Sequence, residues 1–119
     1  MSIMNPKEKK LWVTELRSGQ YTQGRGRLRT PYESFCCLGV AVCAITGAKP
    51  RLGVSMLRGN RFGLSTLVQK ALASVNDGIY NKIELETAYK KAGFDSHPEV
   101  SKRGKSTFNQ IADWIEKNL

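Results

Sequence analysis

The sequence is poorest in the residues that do chemistry: one histidine, ten Asp and Glu, and three cysteines among 119 residues. His97 lies in Asp95-Ser96-His97-Pro98, which holds the letters of a hydrolytic triad without its geometry. Sequence neighbours do not point at one another as a nucleophile and its base must. The cysteines, Cys36, Cys37 and Cys43, are an odd set in one short apolar segment. Their spacing matches neither a secreted disulfide framework nor a zinc finger or ribbon. A reactive thiol needs an electropositive, accessible setting, so these read as reduced and buried. No apolar run reaches the roughly 18 residues of a membrane span; the longest candidate is Phe35 to Ile45. Met1 to Lys10 does not read as a signal peptide. Gly24-Arg25-Gly26 lacks the glycine spacing and terminal Lys-Ser/Thr of a nucleotide-binding loop. These shortages predict a cytoplasmic binding protein, with no enzyme activity, metal, cofactor or membrane contact.

What the sequence does have is basic charge. Nineteen Lys and Arg against the ten acids leave +9, which favours polyanionic partners. Residues 1–60 carry ten basic side chains and three acidic ones, whereas residues 61–119 carry nine and seven. Between Glu15 and Glu33 there is no acid, and Arg17, Arg25, Arg27 and Arg29 all fall there. Arginine presents a planar fork that grips phosphate oxygens through two hydrogen bonds. Tyr21 and Tyr32 flank the cluster, at positions suited to stacking on bases. A second basic group, Lys102, Arg103 and Lys105, precedes the last helix and matters only if it lies beside the first.

The patterning predicts a mainly α, compact single domain spanning 1–119, with four or five helices. Asn5, Pro6 and Glu8 start a helix over 6–18 with Leu11, Trp12 and Leu16 inward, and Gly19 ends it. Residues 20–33, interrupted by Gly24, Gly26 and Pro31, read as an exposed Arg/Gly-rich loop or a short hairpin. Ser34 is positioned to cap a buried helix ending at Gly47, although a buried strand fits the same short apolar run. Gly39 in its middle suggests close approach by another element. Residues 48–63 read as a loop with one short turn around Val54–Leu57. Further helices are expected over about 64–75 and 82–92, the latter with Ile83, Leu85, Ala88 and Tyr89 on its apolar face. Their few basic residues do not suit major-groove reading. Thr107 and Gln110 predict a capping box, followed by the stripe Phe108, Ile111, Ala112, Ile115 and Leu119. The expected core is Leu11, Trp12, Leu16, Leu38, Val42, Leu67, Leu72, Phe108, Ile111 and Ile115.

Four segments together resemble a group of small proteins of tailed bacteriophages: LRSGQYTQGRGRL (Leu16–Leu28), CCLGVAVC (Cys36–Cys43), the Val75-Asn76-Asp77 turn, and FNQIADWIE (Phe108–Glu116). That group has no agreed function, so the resemblance carries over no site residues. Ala44 stands where members of the group often have an acid, and Gly53–Leu64 differs from their middle region. The resemblance implies a protein of the host cytoplasm that occupies a host factor, a defence complex or a signalling nucleotide.

Two functions follow as expectations. The first is a non-enzymatic protein whose Arg25, Arg27 and Arg29 hold a phosphate-bearing ligand, either nucleic acid or a signalling nucleotide. Arg17, Tyr21, Tyr32, Lys102, Arg103 and Lys105 are the supporting candidates. The alternative is an inhibitor docking on an acidic surface of a host or defence protein.

Overall fold

The computed structural model describes residues 3–119. Met1 and Ser2, the start of the segment read as lacking a signal peptide, lie outside it. Among the described residues, five α-helices make up nearly half of the chain: α1 (Pro6–Arg17), α2 (Cys37–Thr46), α3 (Thr66–Asp77), α4 (Lys82–Lys91) and α5 (Phe108–Asn118). Two short strands, β1 (Thr22–Gln23) and β2 (Ser34–Phe35), lie between α1 and α2, and a 3-10 turn covers Arg61–Gly63. The Cα radius of gyration of 12.9 Å is that of one mainly α domain of this length. Among the described residues, no helix is long and apolar enough to cross a membrane.

Helix α1 starts where Asn5 Oδ1 accepts from the backbone N–H groups of Lys7 and Glu8, at 2.9 and 3.2 Å. Trp12, Val13 and Leu16 are buried against α2 and α5, and Trp12 Nε1 donates to the Cys37 carbonyl at 2.9 Å. Leu11 is 42% exposed, contrary to expectation. At 3.6 residues per turn it falls on the side opposite the stripe through Trp12 and Leu16. Met4 N–H donates to the Leu119 carbonyl at 3.0 Å, fastening the two ends of the chain.

Helix α2 is the centre of the core, buried from Cys37 through Val42. It begins two residues later than a Ser34 cap would give. Ser34 and Phe35 pair in parallel with Thr22 and Gln23 instead, and Cys36 takes the cap position without a side-chain bond. The 20–33 segment is therefore not an antiparallel hairpin. Gly39 allows the close approach anticipated for it, since a Cβ there would overlap the Leu28 carbonyl oxygen.

Helix α3 starts at Thr66, capped by Ser65 Oγ, and runs on through Asn76 and Asp77. Leu67 is 50% exposed, another departure. The buried places in the first turn go to Val68 and to Gln69, whose Oε1 accepts from Leu57 N–H at 2.9 Å. Its Nε2 donates to the Gly59 and Leu64 carbonyls at 2.8 and 3.0 Å. These bonds pin the 57–64 loop, which has its one helical turn at Arg61–Gly63 and none at Val54–Leu57. In α4, Leu85 and Tyr89 are buried, whereas Ile83 is 76% exposed. Phe94 folds back, its N–H donating to the Tyr89 carbonyl at 2.9 Å, and its ring meets Trp114 edge-on at 4.8 Å.

Helix α5 carries the reciprocal capping box. Gln110 N–H donates to Thr107 Oγ1 at 3.2 Å, and Thr107 N–H to Gln110 Oε1 at 2.9 Å. Phe108, Ile111, Ala112, Ile115 and Leu119 are all buried.

Candidate anion-binding surface

The arginine segment is held by a polar hub at the end of α3. Asn76 is fully buried and uses its whole amide. Its Oδ1 accepts from Gln23 Nε2 at 3.0 Å and Cys37 N–H at 3.1 Å. Its Nδ2 donates to the Gly24 carbonyl at 2.8 Å and to Asp77 Oδ1 at 2.9 Å. Both Asp77 carboxylate oxygens accept from Gly26 N–H at 3.1 Å. Gly26 turns with φ +77°, a left-handed conformation that suits glycine. Buried Leu28 makes the next anchor, its N–H donating to the Val54 carbonyl at 2.7 Å.

Between these anchors Arg25 and Arg27 are exposed. Arg27 Nη1 donates only locally, to the Gly26 carbonyl at 3.0 Å. Arg29 is turned away from them. Its Nε donates to Glu33 Oε1 at 2.6 Å, and Lys49 Nζ lies 2.7 Å from Glu33 Oε2. The hydrogen bonds from Lys49 and then Arg29 lower the Glu33 pKa. Glu33 adopts φ 55°, the left-handed region, in a turn closed by Thr30 N–H to the Ser34 carbonyl at 2.9 Å. Arg17 is also engaged elsewhere, bridging α1 to α5 through Asp113 at 2.7 Å and Glu116 at 2.8 Å. Among the described residues, the predicted four-arginine cluster thus divides into two guanidiniums without an acid partner and two held by acids.

The tyrosines divide as well. Tyr21 is half-buried, its ring packed in a T-shaped contact with Phe35 at 5.4 Å. Tyr32 is 91% exposed at the tip of the 30–34 turn.

The second basic group shares the hub. Gln23 Nε2 also donates to the Ser106 carbonyl at 2.9 Å, and Ser106 N–H donates to the Val75 carbonyl at 2.7 Å. A Cβ on Gly78 would press on the Lys105 side chain at 2.9 Å. The 24–27 and 102–105 segments are therefore fastened to the same turn, Val75–Gly78. Lys102, Arg103 and Lys105 are all exposed on it.

A third segment went unrecognised in the sequence. The chain around Pro50–Met56 runs beside the arginine segment. Leu28 bonds to Val54, and Arg29 Nη1 reaches the Pro50 carbonyl at 3.5 Å. Arg27, Ser55 and Met56 share the walls of a small cavity of about 130 Å³. This segment and its continuation carry exposed Arg51, Arg58 and Arg61. The available signal was the absence of any acid between Glu33 and Asp77.

The thiols are poor nucleophiles and poor metal ligands in this setting. Burial pushes Cys36 up to about 11, Cys37 well above the ordinary thiol value, and Cys43 upward. His97 is half-buried, donating from Nδ1 to the Pro98 carbonyl at 2.7 Å, with its ring tilted against Tyr89. Among the described residues, no group of three or more His, Cys, Asp or Glu side chains converges on a metal position.

The family model of a domain of unknown function (DUF8296) matches residues 4–119. The chain belongs to this family. The match runs across all five helices, so α1, the arginine segment and α5 are parts of one family domain. No curated protein and no solved structure matches the chain.

Proposed function

We propose that this chain is a phage-encoded, non-enzymatic binding protein that holds nucleic acid on a basic band of three adjoining segments. Arg25 and Arg27 come from the first segment, Arg51 and Arg58 from the second, and Lys102, Arg103 and Lys105 from the third. The observation that carries the reading is the shared anchorage of these segments, through Leu28–Val54 and through Gln23, Asn76 and Ser106. A backbone already held in place loses less freedom when its side chains grip a phosphate than the backbone of a mobile loop does.

The shape favours a polymer over a signalling nucleotide. Small ligands occupy concave sites of roughly 300–1,000 Å³; the cavity beside Arg27 is about 130 Å³, and the wider cleft at Lys102, about 450 Å³, is shared with the acid Glu99. An open band suits a backbone that passes across it, with Tyr32 available to stack on an unpaired base. Phosphate contact without base reading makes the binding sequence-tolerant.

Fluorescence anisotropy with labelled single- and double-stranded oligonucleotides tests this. Binding at low salt should weaken steeply as salt rises, and the folded Arg25→Ala/Arg27→Ala variant should bind about tenfold more weakly or worse. A folded double variant with unchanged affinity would refute the assignment. Failure to bind any oligonucleotide at low salt would refute it too, and would leave an acidic protein surface as the partner for the same arginines.

A further inference from the structure

The α3–α4 face carries a feature that nucleic-acid binding does not use. Leu67, expected in the core, and Ile83, expected on the apolar face of its helix, instead stand at the surface and line an open groove of about 420 Å³. Tyr80, Ala71 and Ala88 complete its apolar wall, and Lys70, Glu84 and Lys91 border it. Ile79, in the turn joining the two helices, is 58% exposed. An apolar groove with a charged rim on a small domain marks an interaction surface.

The sequence of α4 specifies what fits there. Ile83, Glu84, Thr87, Ala88 and Lys91 are the α4 residues of the groove. Their spacing of i, i+1, i+4, i+5 and i+8 places them on one helical face. That face is self-complementary in charge. When a second α4 lies antiparallel across it, centred between Thr87 and Ala88, Glu84 falls opposite Lys91 of the second copy. Symmetry repeats the pair at the other end. The small side chains of Thr87 and Ala88 sit at the crossing, where helix axes must approach closely. Ile83 then falls over Ala92 of the second copy, at the edge of the groove. A two-fold interface requires a single patch that complements itself in this way.

We infer that the α3–α4 face is a homodimer interface, with a second copy of this chain as its occupant through antiparallel α4–α4 packing. The inference stands apart from the nucleic-acid reading and shares no residue with it. A contact built on one helix pair lies at the small end of stable interfaces, so the affinity should be modest, on the order of micromolar.

Sedimentation equilibrium on the full chain tests it. The wild type should pass from monomer toward dimer between about 1 μM and 500 μM. Glu84→Lys and Lys91→Glu each set like charges opposite one another twice, and should each weaken self-association by about tenfold. In a mixed pair the lysine introduced by the first change faces the glutamate introduced by the second. At the other end the native Glu84 and Lys91 face each other. The mixture should therefore form heterodimers at concentrations where neither variant self-associates. Circular dichroism on both variants verifies that these surface changes leave the fold intact. A wild type that stays monomeric throughout the range would overturn the inference and leave the face to a different protein. So would single variants that self-associate like the wild type, or a mixture that associates no better than its components.

Discussion

Helix α5 and the segment from Thr22 to Phe35 are both fixed against the core, by opposite means. Helix α5 holds itself: a local capping box starts it, and five apolar residues at helical spacing bury one face. The 22–35 segment has two residues of strand at each end and almost no regular structure between. Its order comes from elsewhere in the chain, through Asn76, Asp77, Val54 and Gly39. An irregular segment dense in glycine and arginine thus becomes a defined surface, because one buried amide some fifty residues on satisfies its backbone.

That contrast can be broken most severely at Asn76. Asn76→Asp keeps the side chain's shape but replaces the donor to Gly24 and Asp77 with an acceptor, beside an existing carboxylate. Burying an uncompensated charge there should cost about 3–5 kcal/mol, read by urea unfolding. An unchanged midpoint would show that Asn76 does not organise the segment.

Gly39→Ala comes next. The added methyl group has the Leu28 carbonyl in its way, and overpacking of this kind costs about 1–3 kcal/mol. Amide exchange should show faster opening in residues 24–30 than in α5. Uniform acceleration would deny that the segment is a separate unit.

Thr107→Ala acts on the other side of the comparison. Loss of the capping box should cost about 1 kcal/mol while leaving oligonucleotide affinity unchanged, because the Thr107 hydroxyl bonds only to Gln110 within α5. A matching fall in affinity would mean that the two regions are coupled.

The smallest effect concerns Glu33. Lys49 and Arg29 depress its folded-state pKa, whereas the unfolded chain keeps the ordinary Glu value of about 4.3. In that range the unfolded state binds more protons, so the contribution is present above about pH 4.3 and is lost as pH falls through the folded value. Glu33→Gln should flatten this part of the stability profile. A profile that falls just as steeply in the variant would assign the acid sensitivity to other carboxylates.

The parts of the molecule readable from sequence were those with local causes. Asn5, Thr107 and Gln110 announced their helices because capping is settled within four residues. Trp12, Leu38 and Ile111 declared themselves core by spacing. Leu11, Leu67 and Ile83 did not follow, since periodicity marks apolar residues without saying what will cover them. The parallel pairing of Thr22 with Ser34 was hidden because Gly24, Gly26 and Pro31 between them signal turns without fixing the direction in which the next strand runs. The candidate site was half legible. Among the described residues, Arg25 and Arg27 stand without an acid partner, as their sequence context suggested. Arg17 was claimed by Asp113 and Glu116, nearly a hundred residues away, which no local pattern encodes. Arg29 is different, because Glu33 lies four residues on, and the pairing was visible in principle. Arg51 and Arg58 were marked only by the acid-free stretch around them.

The central claim is that three separate segments make one anion-binding band, and the salt dependence of oligonucleotide binding tests it most directly. One charge would be removed from each segment in turn, with Arg25→Ala, Arg58→Ala and Lys105→Ala. Each single variant should lower the log–log salt slope by about 1, and the triple variant by about 3. A slope that responds to Arg25→Ala alone, or to none of the three, would contradict the account.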